Sequence, residues 1–348
     1  MQTHVFFQAR RLTTQTCGGK PRKMTSQNEN SEDRGESAPP ARTDRIYSYA
    51  AYGLQIRSAL QFPNLPTTRT SDAGDVSISI GRLDVPSADE EACISGPDFC
   101  VTTEGIYRFW RGVATILVRQ GRQIIIDPCE GVADEVLRAA MLGAGFGTLL
   151  HQRGVLVMHG SAVMIEGSVV VFVGPREVGK STIALALYRR GHQLVADDVT
   201  GITINGGTAA VLSAYPQINC WPDALASLSY EPGELEQVQP AFEKRAFHVT
   251  GHFPTGSHPL RRVYVLTQGS APGVEWLTRR EGLIHLLRHS YCAKMFTLLE
   301  ASQNLQQCAR VMRTTVVGRV HTGRSPSDVI AAVEHVERAV CAPTPRTR

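Results

Sequence analysis

The stretch VVVFVGPREVGKST, residues 169–182, decides the fold of this chain. Its apolar first part predicts a buried strand that ends at Val173, and residues 181–190 predict a helix. Between them, GPREVGKS satisfies the G-x-x-x-x-G-K-[ST] pattern of a phosphate-binding loop. The backbone N–H groups of such a loop converge on phosphate oxygens, and the start of the helix adds partial positive charge. The stretch therefore predicts a strand–loop–helix unit that holds the phosphates of a nucleotide.

Two residues of the predicted loop carry distinct chemistry. The Lys180 ammonium is expected to reach the β- and γ-phosphates, and the Ser181 hydroxyl is expected to ligate Mg²⁺. Glu177 departs from the pattern, which often has glycine there, because its carboxylate would repel phosphates unless it points outward or Arg176 offsets its charge. ATP and Mg²⁺ are the expected cofactors, although the loop does not distinguish ATP from GTP. The predicted nucleotide-binding residues are Gly174, Pro175, Arg176, Glu177, Val178, Gly179, Lys180, Ser181 and Thr182.

A pair of aspartates follows the predicted helix at short range. The apolar run 194–196 leads into Asp197 and Asp198, which places two carboxylates at the carboxyl end of a strand, where α/β sheets bind ligands. The short separation from the loop is typical of compact kinases. One carboxylate would hold the metal, and the other would take the proton of an attacking hydroxyl. The alternative is that either aspartate only caps the end of the strand.

These residues resemble the catalytic core of the HPr kinase/phosphorylase family. The resemblance runs from Lys180 through Asp198 without an apparent gap, includes the upstream segment 158–163, and covers roughly residues 150–200. It implies an α/β P-loop kinase domain of the HPr kinase/PEP carboxykinase type that acts on protein serine or threonine. It also implies that Asp198 is the acid/base aspartate, that His159 is an active-site histidine, and that Asp223 is a second metal ligand beside Ser181 and Asp197. An acid at the start of a helix explains Asp223 equally well.

The N-terminal part, which includes the segment 52–54, does not look like that of the classical HPr enzyme. The chain is more similar to the stand-alone HPr-kinase-like proteins, some of which lie beside peptide-tailoring systems and phosphorylate a peptide serine. The expected partner is therefore a protein or peptide that carries the acceptor serine, and neither HPr itself nor the reverse phosphorylase activity is specified. Because HPr-type enzymes are hexameric, a homo-oligomer is expected by analogy.

Composition changes along the chain suggest three segments. Residues 1–44 are polar and are predicted to be a disordered leader. Their Arg-rich start superficially resembles a transit peptide, and Met24 offers an alternative translation start. Short alternating runs predict a small, β-rich, antiparallel N-terminal domain over 45–130, and the catalytic domain is predicted over 131–340.

Charged residues downstream supply a further candidate. Glu243-Lys244-Arg245 lies in a polar stretch between two prolines, which predicts a mobile loop over the site. Either Lys244 or Arg245 would neutralise charge on the moving phosphoryl group, and Arg245 is taken as the catalytic candidate. A solvated charged loop is the alternative interpretation.

Composition limits the classes of function. Lys and Arg total 36 against 32 Asp and Glu, and this formal net charge of +4 is too small and scattered to predict a nucleic-acid partner. No apolar run reaches the ~18–20 residues of a membrane span. Eight cysteines without a CxxC pair favour reduced thiols in a cytoplasmic protein. Two alternative functions stay open: a kinase for a small-molecule hydroxyl, and a nucleotide-binding regulatory module without phosphoryl transfer.

Overall fold

The computed structural model describes residues 45–69, 74–85, 94–240, 242–269, 271–291, 301–323 and 326–343. The leader predicted over residues 1–44 lies outside the described residues. No helix of the described residues is long and apolar enough to cross a membrane.

Eight short strands form the first sheet, in the order β1-β2-β3-β8-β7-β6-β5-β4. Alternation along β2 is typical of the sheet: Leu54, Ile56 and Ser58 are buried, whereas Gln55 between them is exposed. The sheet was predicted to be antiparallel, but it is mixed, because β3 lies between β2 and β8 and runs parallel to both. The strands are β1 Tyr47–Ala51, β2 Leu54–Ser58, β3 Val76–Ile80, β4 Ile94–Gly96, β5 Phe99–Val101, β6 Ile106–Trp110, β7 Ala114–Arg119 and β8 Gln123–Pro128.

The second sheet surrounds the predicted phosphate loop. Its order is β10-β9-β12-β13-β17-β19-β18, and β11 pairs with β9. Because β17 pairs in parallel with β10 as well as antiparallel with β13, five of these strands close into a ring. The strands are β9 Leu156–Ile165, β10 Ser168–Val173, β11 Gln193–Ala196, β12 Val199–Asn205, β13 Thr208–Leu212, β17 Ser257–Thr267, β18 Gly273–Trp276 and β19 Val316–His321.

A third, three-stranded sheet has the order β14-β16-β15. It consists of β14 Gln217–Cys220, β15 Gln237–Gln239 and β16 Phe242–His248. The segment 243–245, predicted as a mobile loop, is thus part of a strand, since β16 is paired on both sides.

Seven described helices flank the sheets. A π turn over Met141–Gly145 joins α1 to α2, so the helix predicted near 133–150 is present with one irregular turn. In α5, Thr278 and Glu281 form a capping box at the N-terminus. The helices are α1 Asp134–Ala140, α2 Phe146–Gln152, α3 Lys180–Arg189, α4 Pro222–Ser227, α5 Arg279–His289, α6 Ala301–Thr314 and α7 Pro326–Cys341.

The two largest apolar clusters of the described residues hold these elements together. The larger one joins the first sheet to α1, α2 and the second sheet, and includes Ile56, Phe146 and Val199. The other packs α3 between β10 and α7 and includes Ile183 and Val333. Full burial of such side chains stabilises the fold by about 1.5–3 kcal/mol each. The strand and the helix on either side of the loop are therefore fixed by packing.

The thiols agree only in part with the expectation of reduced cysteines. Four described cysteines are not part of a disulfide, whereas Cys100 is disulfide-bonded. Those four are Cys129, Cys220, Cys308 and Cys341.

Candidate active site

The loop between β10 and α3 needs glycine at both ends, for different reasons. A Cβ at Gly174 would lie 2.9 Å from the Val178 Cγ1 atom and 3.0 Å from the Leu266 carbonyl oxygen, so the backbone approaches β17 too closely for a side chain. Gly179 has open space around it, but its φ of +99° is a left-handed conformation that other residues adopt only with strain. The glycine spacing of the motif therefore follows from the shape of this turn.

Lys180 folds back onto the loop that precedes it. Its Nζ atom donates hydrogen bonds to the carbonyl oxygens of Gly174 (3.2 Å) and Pro175 (2.8 Å). Burial lowers the pKa of Lys180, and the charges of Asp198 and Asp197 oppose that shift. A phosphate oxygen at the loop would compete with the two carbonyls for this ammonium group, which is already positioned to donate to it.

Glu177 adopts a left-handed φ of +62°, a conformation that suits glycine. Its side chain is exposed, as is that of Arg176. An acidic residue was expected to be tolerated here if it points outward or if Arg176 offsets its charge. The structure shows the first of these arrangements. The carboxylate thus faces solvent, where water screens it from a phosphate in the loop.

Asp197 is the buried member of the aspartate pair, with 4% of its surface exposed. It accepts hydrogen bonds from the Ser181 hydroxyl at 3.0 and 3.2 Å, from the Ser161 hydroxyl at 2.6 Å, and from the Asn219 backbone N–H at 3.0 Å. Burial raises the pKa of Asp197, although the hydrogen bonds from Ser161 and Asn219 lower it. The carboxylate therefore joins β9, α3 and β14 at one point.

Ser161 and Asn219 were not predicted from the sequence. The alternation of β9 offered a signal for Ser161, because residues 159 and 161 of one strand share a face. Asn219 contributes only a backbone N–H, which no side-chain pattern reports.

Asp198 is the accessible member of the pair. Its Oδ1 atom lies 3.0 Å from His159 Nδ1, and the two side chains are 42% and 32% exposed. Burial opposes ionisation of Asp198, but the hydrogen bond and charge of His159, with Lys244 and Lys180, outweigh burial and lower its pKa to about 2. At neutral pH Asp198 is therefore a carboxylate whose side chain is partly exposed to solvent.

Lys244 and Arg245 differ in their relation to the aspartates. The charge of Lys244 acts on Asp198, Asp197 and Lys180, and its Nζ atom lies 5.7 Å from the centre of the Trp221 ring. Arg245 is not among the leading charges that act on either aspartate, and its Nε atom is buried without a hydrogen-bond partner among the described residues. Successive side chains of a strand point to opposite faces, so only one of the two can face the site.

Asp223, the third candidate metal ligand, lies at the start of a helix. It is exposed in the first turn of α4, where its Oδ1 atom accepts a hydrogen bond from the Ala224 N–H at 2.8 Å. Within the ranges that the structure describes, no group of three or more His, Cys, Asp or Glu side chains is arranged to hold a metal ion. The structure thus brings Ser181 and Asp197 together, and it gives Asp223 the helix-start position of the alternative interpretation.

Comparison with known proteins finds relatives of this central segment. Residues 153–219 match the family model of the HPr Serine kinase C-terminal domain. The matched segment contains His159, the loop and both aspartates, so the predicted resemblance to HPr kinases is confirmed there.

Curated relatives match over a similarly short stretch. The HPr kinase/phosphorylase of Chlorobium phaeobacteroides (strain BS1) is 46% identical over 55 residues, which is 16% of this chain and 16% of the relative. That of Chlorobium limicola is 48% identical over 65 residues, 19% of this chain and 18% of the relative. The chain therefore matches less than a fifth of the length of these relatives. Among solved structures, the Hpr(Ser) kinase/phosphatase from Coxiella burnetii aligns with 53% of this chain and 97% of its own, at 14% identity and a TM-score of 0.26.

Proposed function

We propose that this chain, which is HPr kinase-like over residues 153–219, is a cytoplasmic kinase that transfers the γ-phosphate of ATP to a serine or threonine hydroxyl of a protein or peptide. One observation carries the proposal: two adjacent carboxylates have opposite environments. Asp197 is buried and bound to the Ser181 hydroxyl, whereas Asp198 is 42% exposed and ionised. Environments that push the pKa values of neighbouring carboxyl groups apart are typical of sites where each group has its own role.

Ser181 and Asp197 are the proposed holders of Mg²⁺. A hydroxyl and a carboxylate oxygen fit this ion, which takes few protein ligands and completes its shell with phosphates and water. Ser161 and the Asn219 N–H fix the orientation of the Asp197 carboxylate, so its geometry is set in advance. When bound, the ion supplies positive charge that offsets the developing charge on the phosphoryl oxygens.

Lys180 and the loop amides are the proposed holders of the phosphates. The Lys180 ammonium already lies among backbone carbonyls at the loop, and an anionic phosphate is a stronger acceptor than either carbonyl. Phosphate binding would also offset the burial that lowers the pKa of Lys180.

Asp198 is the proposed acceptor of the proton from the attacking hydroxyl. A carboxylate with a pKa of about 2 is a weak base, but His159, Lys244 and Lys180 hold the pKa down, and bound phosphates would neutralise this positive charge. The loose transition state of phosphoryl transfer also needs orientation of the hydroxyl more than strong proton abstraction. His159 would keep the carboxylate aimed at the acceptor.

Lys244 is proposed to neutralise charge on the moving phosphoryl group, in place of Arg245. We expect Lys244→Ala to lower kcat by about ten- to hundred-fold, because a preorganised cation near the reacting group is lost. Arg245→Ala, in the same strand, is expected to lower kcat much less. Steady-state kinetics of both variants at saturating ATP measure this difference, and an equal or larger loss in Arg245→Ala would return the role to Arg245.

A label-transfer assay tests the function itself. The full chain would be incubated with γ-labelled ATP and Mg²⁺ against HPr, peptides encoded beside the gene, and small alcohols such as free serine. We expect label on a polypeptide serine or threonine, lost when EDTA removes the metal. Label on a small alcohol would favour the metabolite kinase, and ATP binding without transfer would favour the regulatory module. Failure to bind either ATP or GTP would overturn all three functions.

A further inference from the structure

The turn between β1 and β2 breaks a local rule. Tyr52 and Gly53 form a two-residue hairpin loop, and both have left-handed φ values, +56° and +72°. Such turns favour Asn, Asp or Gly at the first position, because a bulky side chain is strained there. Strain of this kind persists only when the surrounding structure holds the residue in place. The contacts of Tyr52 should therefore explain its conformation.

Tyr52 reaches from the first sheet to the residue that follows the aspartate pair. Its side chain is buried, with 2% of the residue exposed, and its hydroxyl donates a hydrogen bond to the Val199 carbonyl oxygen at 3.1 Å. Its backbone N–H donates to the Ser213 carbonyl oxygen at 2.8 Å, and its ring packs edge-on against Phe146 with centroids 5.6 Å apart. Both the backbone and the hydroxyl of Tyr52 are thus fixed by the second half of the chain.

Asp198, on the other side of this contact, is also strained. Its φ is +68°, and the Val199 N–H donates to the Asp197 carbonyl oxygen at 2.9 Å, which closes a three-residue turn around Asp198. A γ-turn with positive φ at its centre is rare and strained. From β9, the Gly160 N–H donates a hydrogen bond to the Asp198 carbonyl oxygen at 3.2 Å. Tyr52 holds the next carbonyl along the chain, that of Val199.

This turn is what separates the two carboxylates. It directs Asp197 inward to Ser161 and Ser181 and leaves Asp198 exposed beside His159. A relaxed turn would move the Asp198 carboxylate relative to the loop, and small misplacements of reacting groups are costly in rate.

We propose that Tyr52 is a positioning residue for phosphoryl transfer, whose hydroxyl holds the strained Asp198 turn in its active conformation. The first sheet would then supply part of the frame of the active site. The inference rests on the proposed function for its effect on rate, but the effect on the turn is independent of it.

Tyr52→Phe tests this, with Tyr49→Phe as the matched control. Tyr49 lies in the same hairpin, is also 2% exposed, and its hydroxyl accepts a hydrogen bond from the Phe62 N–H at 2.9 Å. Each variant therefore loses one buried hydrogen bond, but only Tyr52→Phe loses the one at the aspartates. Hydrogen exchange of the segment 196–203 and the kinetics of the full chain would be measured for both.

We expect exchange in 196–203 to become about ten-fold faster in Tyr52→Phe, with kcat about ten-fold lower and KM for ATP unchanged. In Tyr49→Phe, both exchange in this segment and kcat should match the wild type. Unchanged exchange in Tyr52→Phe, or faster exchange with normal kcat, would overturn the inference, as would an equal loss of kcat in Tyr49→Phe. If the wild type transfers no phosphate, the proposed function fails, whereas the exchange data still decide whether Tyr52 holds the turn.

Discussion

Asp198→Asn is expected to lower kcat for phosphoryl transfer by about 10³-fold, within the range that general-base catalysis contributes. The substitution keeps the size of the side chain, and Asn tolerates the left-handed conformation that residue 198 adopts, so the turn should survive. What is lost is the negative charge and the ability to take a proton. ATP affinity should change little, since Lys180 and the loop amides hold the phosphates. Single-turnover transfer and equilibrium binding of labelled ATP measure the two effects separately.

Asp197→Asn is the matched comparison, because it removes the adjacent carboxylate with the same change of atoms. Its defect should depend on Mg²⁺ concentration and extend to binding of the Mg²⁺–ATP complex, since Asp197 is the proposed metal ligand. A kcat in Asp198→Asn above one tenth of the wild-type value would exclude Asp198 as the proton acceptor. Identical Mg²⁺ dependence of the two variants would contradict the division of roles.

Arg262→Ala is expected to lower the free energy of unfolding by about 3–5 kcal/mol. Arg262 lies in β17 with none of its surface exposed, and its guanidinium donates to the carbonyl oxygens of Ala339 and, at 2.9 Å, Ala342. These carbonyls lie at the end of α7, where helix geometry leaves acceptors without partners and the helix dipole favours a cation. The guanidinium carbon also lies 5.2 Å from the centre of the Trp276 ring. The alanine variant would leave a cavity at a fully buried side chain and would remove the donors of two part-buried carbonyls.

Denaturant unfolding measures this change. Arg262→Met, which fills most of the space but donates no hydrogen bond, should cost less than Arg262→Ala, and the difference between them reports the cavity. Arg261→Ala removes the neighbouring guanidinium, which is partly exposed, and should cost less than about 1 kcal/mol. A midpoint of Arg262→Ala equal to that of Arg261→Ala would show that the contact with α7 does not stabilise the fold.

The loop shows how far sequence reasoning reaches. A strand, a turn and a helix that adjoin in the chain follow from an apolar run, two glycines and a helical pattern within 169–190, and the structure has these elements with the helix starting one residue earlier, at Lys180. The helix near residues 133–150 and the β-rich segment after residue 45 follow in the same way. The parallel pairing of β3 with β2 and β8 did not follow from the sequence. The alternation of apolar and polar residues shows which face of a strand is buried, but not the direction of the neighbouring strand.

By itself, then, the sequence determined that a loop with glycine at both ends lies beside two carboxylates, because those residues are close along the chain and local geometry places them. Tertiary structure decided the environment of each carboxylate. Ser161 meets Asp197 across 36 residues, and Tyr52 meets Val199 across 147. Such contacts depend on which strands pair and in what register, and the pairing of β14 with β16 likewise places Lys244 where its charge acts on the aspartates. One carboxylate is buried and its neighbour exposed because of how the whole molecule packs. The spacing of residues in the sequence therefore does not predict this difference.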